Sequence, residues 1–200
     1  MPFRKKPEPL TIAGQEMKTL ILKNAVASFA QNSYHGTSMS EIASACGITK
    51  AGLYHYFKTK TDLLDHIYET VNLSLSEAIN HSMDKEVPTI QRLSEIVHAQ
   101  VSHQIEFPTF LAVFWRERFQ LEDTARKRVR AREKIFEQAL EDLLLEGQQS
   151  GIFRQFNVDN ILPAIFGTLN TVYRWAPRSN KKPEVIADEI LEFILGGISK

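Results

Sequence analysis

Cysteine is nearly absent: Cys46 is the only one in 200 residues. No internal disulfide can form, no Cys/His cluster has zinc-ligand spacing, and a reducing cytoplasm is the expected compartment. No apolar run is long enough to cross a bilayer, so no membrane is expected. The opening MPFRKKPEPL has charge but no apolar stretch behind it and does not read as a secretory leader. His66, His81, His98 and His103 form neither HExxH nor an i, i+4 pair on one helix, so no metal site is expected. A nucleophile elbow, a phosphate loop and a dinucleotide fingerprint are all missing. Neither a catalytic residue nor a cofactor is therefore expected. Glycine and proline are missing between Leu53 and Val87, and again between Thr109 and Glu146. Stretches that long without a breaker favour long helices.

The residues present agree. Leu22, Ala25, Val26 and Phe29 follow the i, i+3, i+4, i+7 spacing, as do Leu64, Ile67, Val71, Leu75 and Ala78. So do Phe136, Leu140, Leu143 and Leu144, then Ile186, Ile190, Phe193, Ile194 and Gly197. No segment alternates with period two for long enough to build a sheet, and the fold class expected is all-α. Helices are predicted over 16–32, 38–45, 49–56, 60–82, 89–105, 109–121, 124–149, 158–176 and 183–197, with breaks at Gly36, Gly47, Pro88, Pro108, Gly151 and Pro177. Residues 1–14, with three prolines and a basic triplet, read as a disordered tail. The expected division is then 15–60 and 61–200.

Basic and acidic side chains balance at 24 each, but unevenly along the chain. Residues 1–60 hold eight Lys/Arg against three acids, and the remainder is acidic. A basic N-terminal quarter suits an anionic partner, of which nucleic acid is the commonest.

The stretch Thr37 to Lys60 sharpens this. Ser38-Met-Ser-Glu41 is a capping box, opening a short helix with Ile42 and Ala45 inward and the small Ala43 where a second helix must cross. Gly47 can end that helix in the left-handed conformation. Thr49 caps a second short helix whose inward face is Leu53 and Phe57. Two short helices joined by a tight glycine turn make a helix-turn-helix, though an ordinary helix corner looks the same. The second helix has unusual outward residues: Lys50, Ala51, Gly52, Tyr54, His55 and Tyr56, then Lys58 and Lys60, with no acid between Ser44 and Thr61. Small residues let a helix press into a major groove. Lysine can donate to guanine edges, and a tyrosine can meet a thymine methyl or a phosphate.

Thr37-Ser38-Met-Ser-Glu-Ile-Ala, Gly47-Ile48, Leu53-Tyr54-His55-Tyr56-Phe57-Lys58-Thr59-Lys60 and Asp62-Leu63-Leu64 resemble the signature of tetracycline-repressor (TetR) family regulators. Phe29-Ala30-Gln31-Asn32-Ser33-Tyr34-His35-Gly36 resembles the end of that family's first helix, so the match runs without a gap over about residues 17–66. The resemblance implies a three-helix DNA-binding head on a helical ligand-sensing body, acting as a homodimer on a double-stranded operator. By position it implies that Lys50, Ala51, Gly52 and Tyr54 face bases, while Thr37, Ser38, Thr49, Tyr56 and Lys60 hold phosphates.

In the body, Phe107, Phe110, Phe114 and Trp115, extending to Phe119, make an aromatic stripe that serves as core packing or as the wall of an apolar pocket. Glu146-Gly147-Gln-Gln-Ser-Gly151-Ile-Phe153 and Leu169-Asn170-Thr-Val-Tyr173-Arg174-Trp175 resemble the C-terminal half of a TetR subgroup, several members of which sense acyl-CoA thioesters. That adds Asn170 and Tyr173 to the pocket. Arg126, Arg130 and Lys134 belong to a basic run that reads as a solvated face or as a contact for CoA phosphates. Helices 158–176 and 183–197 are apolar almost all round, so Ile165, Leu169, Ile190 and Phe193 are expected in a dimer interface, a thick monomer core being the alternative. The effector expected is small and apolar or amphipathic, with acyl-CoA the first candidate. The rival readings are a ligand-independent DNA-binding regulator and a helical enzyme or lipid-binding body carrying a degenerate head.

Overall fold

The computed structural model describes residues 11–73, 79–81 and 84–200. The chain is all-α: among the described residues no strand forms, and only an isolated bridge links Phe153 to Ser199. It divides into two compact units, 1–67 and 68–200. The division falls inside a helix rather than at its start.

The first unit contains α1 (Ile12–Gly36), α2 (Met39–Ala45), α3 (Lys50–Tyr56) and the beginning of α4 (Lys60–Leu73). α1 begins inside the expected tail because the Thr11 hydroxyl accepts from the Gly14 N–H at 3.2 Å and caps it. It buries Ile21, Leu22, Ala25, Val26 and Phe29 on one face. Near its end Ser33 takes φ 64 and ψ 168, outside the helical region, and the chain turns. Such a backbone strains any residue with a Cβ and persists only where its surroundings hold it. Here Thr37 does so, donating its hydroxyl to the carbonyls of Ser33 (2.9 Å) and Ser28 (3.1 Å).

The predicted capping box is present at α2: Ser38 N–H donates to Glu41 Oε2 at 2.6 Å, and Glu41 N–H to Ser38 Oγ at 3.2 Å. Those bonds hold the Glu41 carboxyl below its usual range, the Ser38 backbone donor contributing most. Gly47 sits at φ 67 and ends the helix as expected. Ile42, Ala43, Leu53 and Phe57 are each buried, whereas Ala45, expected inward, is exposed. The crossing with α3 thus uses Ala43, whose carbonyl also takes the N–H of Ile48 at 3.0 Å.

The second unit contains α5 (Thr89–Glu106), α6 (Pro108–Glu117), α7 (Asp123–Gln149), α8 (Val158–Leu169), α9 (Val172–Trp175) and α10 (Pro183–Ile198). Short 3₁₀ turns follow α6 and α9. The helix expected over 158–176 is therefore broken at Asn170 and Thr171. The part of the helix predicted over 60–82 that covers 74–78 and 82 lies outside the described residues. The core gathers Leu93, Val97 and Val101 of α5, Leu140 and Leu144 of α7, Ile165 and Leu169 of α8, and Ile186, Ile190 and Ile194 of α10. At roughly 25 cal/mol per Å² of apolar surface, such a core is the main force holding the unit together. No described helix is long and apolar enough to cross a membrane.

Gly147 is held to glycine by packing. It lies within α7, and a Cβ built there would fall 2.1 Å from Cδ2 of the fully buried Phe153. The Phe153 N–H also donates to the Gly147 carbonyl at 2.8 Å. A turn at Gly151 (φ 77) brings the ring back over the helix. Beside it, Arg92, almost fully buried, pairs with Glu146, which also accepts from the Thr89 hydroxyl at 2.6 Å.

Candidate nucleic-acid interface and effector cavity

α3 is held from behind and leaves its outer side bare. Leu53 and Phe57 are buried, while Lys50, Ala51, Tyr54 and His55 are exposed and Gly52 and Tyr56 half-buried. Thr49 accepts from the Gly52 N–H at 3.0 Å, which fixes where α3 starts. A Cβ on Gly52 would meet that hydroxyl at 3.3 Å, so the residue is small for its own cap as well as for what it faces. Lys58 reaches back to the Tyr54 carbonyl at 3.0 Å, and its N–H donates to Asp62. Ser38 and Thr49 are exposed at the N-termini of α2 and α3, where hydroxyls and backbone N–H groups suit phosphate oxygens.

Two residues expected to hold phosphates do something else. Thr37 is 2% exposed and its hydroxyl is spent on main-chain carbonyls, so its side chain is not offered outward. This corrects the resemblance-based assignment: the corner after Ser33 needs that donor inside. Lys60 donates to the carbonyls of Tyr34 (2.8 Å) and Thr37 (2.9 Å), its ammonium 4.4 Å from the Tyr34 ring centroid. It ties the start of α4 to the end of α1, leaving one N–H for an outside partner.

The second unit contains a cavity of about 500 Å³ that is open on one side. Of the expected pocket residues it is lined by Phe114, Trp115, Asn170 and Arg130. Phe107 and Phe110 are not in the wall; the Phe107 ring lies between those of His103 (5.4 Å, tilted) and Phe110 (6.0 Å, edge-to-face). Tyr173 is buried behind the wall, its N–H donating to Gln104 Oε1 at 3.4 Å. Phe119 is 80% exposed and leaves the stripe, because the helix gives way to a 3₁₀ turn at Arg118. Arg126 pairs with Asp123 and the Leu121 carbonyl at its own helix start, and the exposed Lys134 is also outside the lining. The α7 cations that do line the cavity are Arg130 and Arg132.

The polar floor was missed. Gln100, His103 and Gln104 lie at i, i+3 and i+4 on α5 and all line the cavity, each almost fully buried. The available signal was three polar residues continuing the apolar face of Leu93, Ile96 and Val97. Gln100 Nε2 donates to Asn170 Oδ1 at 2.8 Å. Burial pushes His103 down to about 4, so it is neutral at pH 7. Arg118 is clamped by both carboxylate oxygens of Glu133 at 3.1 Å and lies 5.0 Å from the Trp115 ring centroid.

The interface expectation also needs correcting. Ile165, Leu169 and Ile190 are buried inside the unit, at 5%, 0% and 8% exposure, and belong to the monomer core. Phe193 is 72% exposed. Gly167, Gly196 and Gly197 have open space where a Cβ would stand, so they make no close approach to another helix among the described residues.

Residues 21–67 match the family model described as bacterial regulatory proteins, tetR family, and residues 86–198 match the model described as tetracyclin repressor-like, C-terminal domain. The chain is 26% identical over 181 residues to the fatty acid metabolism regulator protein of Bacillus subtilis (strain 168), covering 89% of this chain and 93% of that one. Among solved structures it resembles the TetR family transcriptional regulator PfmR from Thermus thermophilus, with TM-score 0.81 and 26% identity over 90% of this chain and 99% of that one. AibR, solved in complex with isovaleryl coenzyme A and operator DNA, is similar with TM-score 0.76 and 26% identity, over 88% of this chain and 97% of that one.

Proposed function

The chain belongs to the TetR family of bacterial regulatory proteins, and from that premise we propose that it is a cytoplasmic repressor that binds its operator as a homodimer and is released by an acyl-CoA. It is a helix-turn-helix regulator of transcription. In the dimer two α3 helices enter successive major grooves of a pseudo-palindromic site, roughly 34–36 Å apart. Lys50, Ala51, Gly52 and Tyr54 read base edges. Ser38, Thr49, Tyr56 and the remaining N–H of Lys60 hold phosphates.

The observation that carries the effector reading is the cavity itself. Its wall of Leu111, Phe114, Phe136 and Phe166 suits a hydrocarbon group, while Arg130 and Arg132 in its lining suit phosphates. Arg130 is three-quarters exposed, which supports an open side where a CoA moiety emerges. AibR's solved complex with an acyl-CoA and DNA supports the same pairing of ligands. A route for the signal is at hand. Tyr68 of α4 donates its hydroxyl to the Phe114 carbonyl, their rings 4.4 Å apart, and Phe114 is a cavity wall. An effector pressing on Phe114 thus bears on the helix that leads back to the head. Its leverage is the difference in its affinity for the DNA-bound and released states.

The dimer reading rests on the exposed Phe193 and on Gly196 and Gly197, which follow it at i+3 and i+4 on α10 with open space where a Cβ would stand. The deciding experiment is fluorescence anisotropy on genomic operator fragments with acyl-CoAs of several chain lengths added. Specific binding reversed at micromolar thioester, with Arg130→Ala and Arg132→Ala raising the concentration required, is the expected result. Specific binding that no acyl-CoA reverses eliminates the effector reading, and no specific shift eliminates the regulator.

A further inference from the structure

The lining of the cavity is not finished as a hydrocarbon site. Gln100 is 3% exposed, and with Nε2 committed to Asn170 its Oε1 is buried with no hydrogen-bond partner. If the amide is turned over, and Asn170 with it, the same bond forms and the Gln100 NH₂ is left over instead. One polar end of Gln100 is therefore unpaired in either orientation. Trp115 has the same defect. Its Nε1–H is buried and unpartnered, and the residue lines the same cavity. Leaving a buried polar group unpaired costs about 1–3 kcal/mol, and native proteins carry few such groups. Two such groups on side chains that line one cavity are a cost that an occupant reaching them removes.

The chemistry of that occupant follows. The indole is a donor only and requires an acceptor. The amide takes a donor, or an acceptor when turned. A hydroxyl has the acceptor and the donor that the two groups require, and a carbonyl has the acceptor that suits the indole and the turned amide. A carboxylate is poorly matched to these two groups. Gln100, Gln104, Asn170 and Trp115 offer no positive charge, Arg118 is already held by both oxygens of Glu133, and the remaining lining cations, Arg130 and Arg132, are those assigned to the CoA phosphates. Burial keeps His103 neutral as well. An ammonium is disfavoured too: the lining sets Arg118, Arg130 and Arg132 against Glu133 and Glu137, and Glu133 is engaged.

We infer that the buried part of the effector carries an uncharged oxygen function, a hydroxyl or carbonyl beyond any thioester, that pairs with the Gln100 amide and the Trp115 indole N–H. A plain saturated chain leaves both groups unpaired and is the weaker ligand. This deepens the acyl-CoA reading and rests on it for the CoA moiety, but the polar requirement stands on Gln100 and Trp115 alone.

The test is calorimetric titration of the full chain with two matched series. One is a saturated medium-chain acyl-CoA and its derivatives hydroxylated or oxidised to ketones at successive carbons. The other is the methyl esters of the same acids. In wild type the best-placed oxygenated member should bind about tenfold more tightly than its saturated parent, the worth of one good buried hydrogen bond. The ratio should fall to near one in Trp115→Phe, which keeps a ring against Phe114 but removes the donor, and in Gln100→Leu. Because the readout is a ratio within one variant, a general loss of affinity does not mimic it. Should only the methyl esters bind, with the preference intact, the acyl-CoA reading falls and this one stands. Equal affinities throughout, a preference that survives both substitutions, or no binding in either series overturns the inference.

Discussion

Single residues in this chain are constrained by what lies within a few ångströms, and Gly147 is the sharpest case. The Phe153 ring occupies the space of its missing Cβ at 2.1 Å. Gly147→Ala is expected to lower stability by about 1–3 kcal/mol through forced repacking, despite alanine's better helix propensity. Thermal or urea unfolding of the variant measures this, and unchanged or raised stability would show that the ring moves freely. Next to the cavity, His103 is held neutral by burial, pushed down to about 4 from an ordinary 6.5. Between those values the unfolded chain binds a proton that the folded chain refuses. Stability from this group is therefore complete above about pH 6.5, falls as pH drops towards 4, and changes no further below it. The loss amounts to about 3 kcal/mol over that window. Urea unfolding at several pH values should show the slope, and His103→Gln should flatten it. Glu146, with its carboxyl lowered first by the Thr89 hydroxyl and then by Arg92, adds a further loss below the usual carboxylate range.

At the scale of elements, α3 is the one whose two sides have separate duties. Leu53 and Phe57 are fully buried, Phe57 against His66 of α4, while Lys50, Ala51, Tyr54 and His55 stay exposed among the described residues. Tyr54→Ala and Lys50→Ala should each weaken specific operator binding by about 1–3 kcal/mol while the melting temperature stays within a degree or two. Anisotropy titration together with a melt checks both halves, and wild-type affinity in both variants would move the reading face elsewhere. Lys60→Ala should behave differently. It cuts two bonds to the carbonyls of Tyr34 and Thr37, so it should lower stability as well as weaken binding to all sequences alike. A Lys60→Ala protein that melts like wild type but binds poorly would make Lys60 a phosphate ligand alone.

For the whole molecule, the question is which apolar surface serves the core and which serves a partner. Phe193→Glu places a charge on an exposed position. It should leave the protomer folded and shift dimer to monomer, with operator affinity falling in step. Leu169→Glu buries a charge at a position with 0% exposure and should unfold the body outright. Sedimentation and circular dichroism on the two variants separate these outcomes. A Phe193→Glu protein that remains dimeric would place the interface on another face.

The sequence by itself determined the helical class, the capping box at Ser38 and Glu41, the turn at Gly47 and the outward face of α3. Each of these depends on residues a few positions apart. Helical periodicity, a reciprocal cap and a left-handed glycine are local physics, legible without neighbours from elsewhere in the chain. The tertiary structure alone decided what depends on distant residues. Periodicity marked Ile165, Leu169, Ile190 and Phe193 alike as apolar, but only packing against α5 and α7 put three inside the core and left one outside. Composition pointed to Phe107 and Phe110 as pocket wall. The direction of α6 instead aimed Phe114 and Trp115 at the cavity and opened it onto Gln100, His103 and Gln104. A side chain's hydrophobicity is written in its own identity, but whether it meets core, cavity or solvent is set by the elements that fold against it.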